Sequence, residues 1–183
     1  MRQVTSKQPF PAVGALLALA LTLACVAPTA GETTKPPPPR IAVFAFELED
    51  ASPEVTYLGG AGNQAATMAE VGRAARLELS QSGRYSVIDA STADTSQVAA
   101  KGLRNCGGCE AALALKLGAD QSLLGIVIKA TQTDYYVVIQ IRDARTGKLL
   151  DQQQANFAGS EQGWPSGARM LIRHQVLAIP PSS

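Results

Sequence analysis

Histidine and tryptophan occur once each in the 183 residues, cysteine three times, and aromatic residues make up only 5% of the chain. With His174 as the only histidine, a zinc site built on paired histidines is excluded, and no G-x-S-x-G serine motif accompanies it. His174 therefore reads as a surface residue on a closing helix. No apolar run reaches the roughly 20 residues that a membrane-spanning helix needs; the longest, Ala12 to Ala27, falls short. No basic cluster is present either. Arg73, Arg76, Arg84, Lys101, Arg104, Lys116, Arg142 and Arg145 are dispersed among acids, without the interleaved aromatics that bind single strands, so nucleic acid is not an expected partner.

What is present begins with a leader. Arg2 and Lys7 precede the acid-free run "AVGALLALALTLACVA", the pattern of a secretory signal peptide over residues 1–30. Two processing sites stand open. "APTA" offers cleavage after Ala30 with Pro28 at an awkward position, whereas "LTLAC" resembles a lipobox, which would make Cys25 the lipidated first residue and end the leader at 24. Residues 31–40 form a proline-rich linker, and its "KPPPPR" favours the lipoprotein option as a stiff spacer between membrane and domain.

The remaining residues, 41–178, read as one domain, long enough for a core. "IAVFAF" (Ile41 to Phe46) is a continuous apolar, β-branched run, hence a buried strand, and the acidic "ELEDASPEVTYLGGAG" after it reads as a loop. Met68, Val71, Ala75 and Leu79 recur at helical spacing within Asn63 to Ser82, with Gly83 as the stop. "RYSVID" is a second strand, which after a strand and a helix implies a parallel pair. A short helix over Glu110 to Leu117 and a third strand, Gln121 to Ala130, follow. Tyr135, Val137, Ile139 and Ile141 then alternate with Tyr136, Val138, Gln140 and Arg142 in a half-buried strand that turns at "DARTGK" into the polar, edge-like "LLDQQQANF". Trp164, Ala168, Leu171 and Val176 mark the closing helix, ended by Pro180 and Pro181. The fold class is α/β (α+β): a mixed sheet of about five strands, parallel in its first half and an antiparallel meander in its second, with two to three helices.

Three phrases stand in this order: "IAVFAFELED", "LGADQSLLGIVIKA" and "VIQIRDARTGKLL". Together they resemble the amino-terminal domain of the TolB family and related envelope lipoproteins such as the curli-secretion lipoprotein. A closer likeness, carried by "RYSVID", "LRNCGGCEAAL" and "IRDARTGKLL", is to a secreted proteobacterial family labelled a domain of unknown function. The resemblance covers most of Arg40 to Phe157 and implies a fold more than an activity. Members of the wider group are, as a class, assembly or accessory parts of the cell envelope. TolB proteins continue into a propeller whereas this sequence ends soon after its first domain, so TolB's own interaction role does not transfer.

The motifs that could carry chemistry are few. "GAGNQA" (Gly60 to Ala65) fits G-x-G-x-x-A, with Asp89 where a ribose-binding acid would stand. Residues 47–59 intervene between strand and glycines, however, which favours a flexible loop. "TGK" (Thr146 to Lys148) falls in a hairpin and reads as a turn. The acids Glu47, Glu49, Asp50 and Glu54 match no calcium loop. Two thiolates alone cannot complete a zinc site, so Cys106 and Cys109 imply no metal, and nothing else in the chain implies a cofactor. In an exported chain the pair reads as a structural disulfide closing a tight glycine loop, worth on the order of 2 kcal/mol, with redox chemistry at a helix N-terminus as the alternative.

The functional expectation is a non-catalytic periplasmic protein, tethered through Cys25 or free, that acts by binding another envelope or periplasmic protein; the alternative is a thiol–disulfide oxidoreductase using Cys106 and Cys109. The partner surface is expected at Glu47, Glu49 and Asp50 of the acidic loop or at Gln152, Gln153 and Gln154 of the edge strand. The edge is favoured, because glutamines hydrogen-bond a partner without the desolvation cost of charges.

Overall fold

The four apolar residues that follow Arg40 have no solvent exposure, and this places strand β1 (Arg40–Phe44) mid-sheet with both faces covered. In the computed structural model, residues 36–53, 64–96 and 102–178 are described; the leader, Cys25 and the Gly60 to Asn63 part of the glycine motif lie outside them. β1 pairs in parallel with β3 (Ser86–Ala90) on one side and with β4 (Gln121–Lys129) on the other. β4, β5 (Asp134–Asp143) and β6 (Leu149–Ala158) then run antiparallel, giving the order β3-β1-β4-β5-β6. The parallel first half and antiparallel second half are as the sequence implies.

The sheet has six strands. The additional one, β2 (Glu47–Asp50), lies in the stretch read from sequence as an acidic loop, and it pairs in parallel with the distal half of β4. β1 and β2 are one strand broken by a bulge: Val43 lies opposite Leu123 and Glu47 opposite Ile126, so residues 44–46 face only 124 and 125. The extra residue exchanges the two faces. Ile41 and Val43 point to the same core as Phe46 and Leu48, while Ala42 and Phe44 point to the other. Gly125 makes room for this, since a Cβ there would stand within the Phe46 ring.

Three helices among the described residues cover the sheet. On one face α1 (Ala65–Gln81) applies Val71, Ala75 and Leu79, and α3 (Trp164–Leu171) applies Trp164, Ala168 and Leu171, against Ile41, Val43, Leu123, Val127, Val137, Ile139 and Ile141. The chain continues through a π-helical turn, Ile172–Val176, whose Ile172 and Val176 complete that core. Burial of each such side chain contributes about 1.5–3 kcal/mol. Glu78 of α1, almost fully buried, is gripped by Arg173 Nε at 2.7 Å and Nη2 at 2.9 Å. These hydrogen bonds outweigh burial and hold its carboxyl below the ordinary range, so the clamp adds stability above the usual value of 4.5 and loses it as pH falls through the folded value. On the opposite face the short α2 (Cys109–Lys116) packs Ala114 against Ala42, Phe44 and Leu124. Among the described residues no helix covers that face over β5 and β6, where Gln152, Gln154 and Asn156 are exposed.

Gly125→Ala is expected to lower stability by about 1–3 kcal/mol in urea unfolding, with Phe46→Leu in the same background recovering part of the loss. An unchanged midpoint for Gly125→Ala would mean that the Phe46 ring does not fix the bulge.

Candidate functional site

The glycines of the cysteine loop take left-handed angles, φ 69° at Gly107 and 106° at Gly108, which lets the chain turn from the 3-10 turn Leu103–Asn105 into α2. Cys106 and Cys109 are joined by a disulfide. The backbone N–H of Cys109 points at Cys106 Sγ, 3.1 Å away, and a carboxylate oxygen of Glu110 lies 3.9 Å from the same sulfur. Glu110 is 1% exposed and accepts a hydrogen bond from Arg142 Nε at 3.0 Å, while Arg142 Nη1 donates to the carbonyl of Gly147 at 3.2 Å. The pair thus ties the disulfide loop to the β5–β6 hairpin. Cys106, Cys109 and Glu110 cluster tightly enough to suggest ligands, yet both sulfurs are bonded to each other and the carboxylate is engaged by Arg142. The sequence pattern gave no sign that Glu110, in the first turn of an apolar helix, was buried.

The acids of β2 are not free. Glu47 accepts from the backbone N–H groups of Leu103 and Arg104 and from Arg104 Nη1, the last two at 3.2 and 3.3 Å. Gly102, at φ 89°, gives it space: an added Cβ would lie 2.8 Å from Glu47 Oε2. Asp50 accepts from the hydroxyl and N–H of Ser52 and lies 3.6 Å from Lys129 Nζ. Burial would raise its carboxyl, but Ser52 and Lys129 outweigh burial and hold it below the ordinary range. Only Glu49 is exposed, 3.8 Å from Arg104 Nε. Of the acidic candidates, therefore, two brace the fold and one faces solvent.

β6 is outermost on one side of the sheet and, among the described residues, pairs only with β5. Its side chains alternate between half-buried and exposed along the strand. Gln152 and Gln154 stand on the uncovered face, where Gln140 Nε2 donates to Gln152 Oε1 at 3.1 Å. Gln153 is on the other face, donating to Asp151 at 2.7 Å. The backbone direction follows from the register. Gly159 N–H donates to Thr133 and Asp134 accepts from Ala130, so Phe157, Ala155 and Gln153 turn their N–H and C=O toward β5, and Gln152, Gln154 and Asn156 turn theirs to the open edge.

A cavity of about 470 Å³ lies between α1 and the carboxyl ends of β1 and β3, lined by Phe46, Met68, Arg73, Arg76, Ser91 and Thr92 among others. Asp89, the supposed ribose acid, is engaged there by Arg76 Nε at 3.2 Å and by the N–H of Ser91. Thr146 to Lys148 form the β5–β6 turn, with Asp143 accepting from the N–H and hydroxyl of Thr146. His174 is exposed on the closing helix. No helix among the described residues is long and apolar enough to cross a membrane.

The profile of the DUF3280 family, described as "Protein of unknown function (DUF2380)", matches residues 39–176, and the chain belongs to that family. A search of curated proteins finds no match. Among solved structures the chain is similar to PelC from Paraburkholderia phytofirmans, solved as a dodecamer, at 15% identity over 74% of this chain and 82% of that one, TM-score 0.48. It is similar also to TolB from Acinetobacter baumannii, at 17% identity over 79% of this chain and 29% of that one, TM-score 0.46. A third is the lipoprotein GNA1162 from Neisseria meningitidis, at 22% identity over 77% and 95%, TM-score 0.40.

Glu110→Ala leaves Arg142 without its buried partner and is expected to cost about 3 kcal/mol, whereas Cys106→Ser with Cys109→Ser should cost about 2 kcal/mol or less, the loop being so short. Urea unfolding of both variants orders them. The reverse order would make the disulfide, and not the ion pair, the element that holds the loop in place.

Proposed function

We propose that this protein is a non-catalytic accessory component of the bacterial cell envelope, exported and held at a membrane through Cys25, and that it binds another envelope or periplasmic protein along β6. One observation carries the reading: β6 is ten residues long, pairs on one side only among the described residues, and presents the outward backbone groups of Gln152, Gln154 and Asn156 with no lysine or proline to discourage an added strand. An incoming strand would find hydrogen-bonding side chains beside it, since the adjoining face carries Gln140, Gln152 and Gln154. Exposed Glu49, on β2, is the secondary candidate.

The oxidoreductase reading has one point in its favour, the Cys109 N–H aimed at Cys106 Sγ where a helix begins. Against it stands the surrounding geometry, since the carboxylate nearest that sulfur, Glu110, is ion-paired with Arg142 and bound into the fold. A reduction potential well below that of known oxidoreductases is expected, and a value among theirs would restore the alternative.

Cys25→Ala is expected to release the protein from the membrane fraction; recovery of the wild-type protein in soluble form with Gly31 as its first residue would remove the tether from this reading. For the edge, Gln154→Pro takes away an outward N–H and leaves the β5 ladder intact. Crosslinking to the envelope partner should be lost with little change in melting temperature, while Glu49→Ala should leave it intact. Normal crosslinking by Gln154→Pro would exclude strand addition at β6.

A further inference from the structure

Six large apolar side chains among the described residues are substantially exposed, and four of them, Leu115, Leu117, Leu149 and Leu150, stand at one end of the sheet. The register shows this. Ile41 lies opposite Gln121, Gln121 opposite Asp143, and Arg142 opposite Leu149, so the starts of β1, β4 and β6 and the end of β5 form one row. The carboxyl end of α2 is drawn to the same row: Asp120 exchanges hydrogen bonds with Arg40, and an added Cβ at Gly118 would lie 3.1 Å from the Arg40 guanidinium. Leu115 and Leu117 are each 42% exposed, Leu149 39% and Leu150 36%.

Cations outnumber acids at this end. Arg40, Lys116, Arg145 and Lys148 are all exposed beside the leucines. Two acids, Asp120 and Asp143, stand among them and offset part of this charge: Asp120 accepts from Arg40 N–H, and Asp143 accepts from the N–H groups of Arg145 and Thr146. Leucines among a surplus of exposed lysines and arginines fit a surface that is apolar just beneath a layer of negative charge.

The chain enters the domain here as well, because Pro36 to Pro39 lead directly into Arg40. We propose that this end of the domain, with Leu115, Leu117, Leu149 and Leu150 and the cations around them, rests on an anionic phospholipid surface; the inference builds on the tethered reading above. Residues 26–39 separate Cys25 from β1, a length of chain that allows the contact without enforcing it, so the face must supply its own affinity.

The test uses the full chain in its native envelope. Photoreactive benzoyl-phenylalanine replaces Leu117, Leu149 or, as a control on α1, Leu77, which is 51% exposed and lies on the opposite helical layer. After irradiation, phospholipid adducts at positions 117 and 149 are expected to exceed those at 77 by roughly tenfold. Lys116→Glu with Lys148→Glu should reduce them roughly tenfold while leaving the protein in the membrane fraction. Membrane-bound protein that gives no lipid adduct at 117 and 149, equal adducts at 77, or adducts to a protein there overturns the proposal while sparing the tether. Soluble protein without adducts overturns both.

Discussion

The arrangement depends on one extra residue. β4 is the strand against which β1, β2 and β5 all register, and along its nine residues the bulge at residues 44–46 sets β2 one place out of the register that β1 begins. Without that slip, side-chain alternation would carry Phe46 and Leu48 to the α2 face and turn Glu47 into the α1 core. With it, the apolar residues continue beneath α1, and Glu47 emerges where the 3-10 turn before the cysteines needs an acceptor for Leu103 and Arg104. Gly125 is the counterpart of the bulge, the one point of β4 where a side chain must be missing for the Phe46 ring to lie flat on the sheet.

Three buried or half-buried ion pairs then join elements that are far apart in sequence. Glu47 meets Arg104, Glu110 meets Arg142, and Glu78 meets Arg173. Such pairs add little net stability over well-packed apolar residues, but loss of one partner is costly, so they discriminate between arrangements more than they strengthen one. Each crosses a junction between elements: β2 to the cysteine loop, that loop to the hairpin, and α1 to the closing helix, where it adds to apolar packing already present. The disulfide spans only its own loop, and the Glu110–Arg142 pair connects that loop to the rest of the domain.

This explains which parts of the structure were legible in the sequence. β1, β4 and β5 announce themselves through runs of buried aliphatics, and α1 through its spacing, because local pattern and burial agree there. β2 does not. "ELED" carries acids at Glu47, Glu49 and Asp50, and nothing nearby shows that Glu47 is answered by Arg104 more than fifty residues later or Asp50 by Lys129. Hence the acidic stretch reads as a loop and its charges as a free surface. The same blindness hides Glu110. By contrast, the exposed glutamines of β6 were legible, since an edge strand needs no distant partner to be recognised; what required the register was the direction of each backbone N–H, which separates Gln153 from Gln152 and Gln154.

The two proposed surfaces constrain each other. β6 starts at Leu149, in the row of leucines and cations, and ends at Ala158 at the far end of the sheet. If the row rests on lipid, the open edge rises from the membrane, and at about 3.3 Å per residue its ten residues span roughly 30 Å of height. A partner strand added there would lie along the membrane normal, paired with Gln152, Gln154 and Asn156 above the headgroups. The edge would then be reachable by a soluble or peripheral partner, but by an integral one only through a segment that stands clear of the bilayer. The uncovered polar face of β5 and β6 suits this geometry, because it stands in water beside the edge and offers Gln140, Gln152 and Gln154 to whatever the strand belongs to.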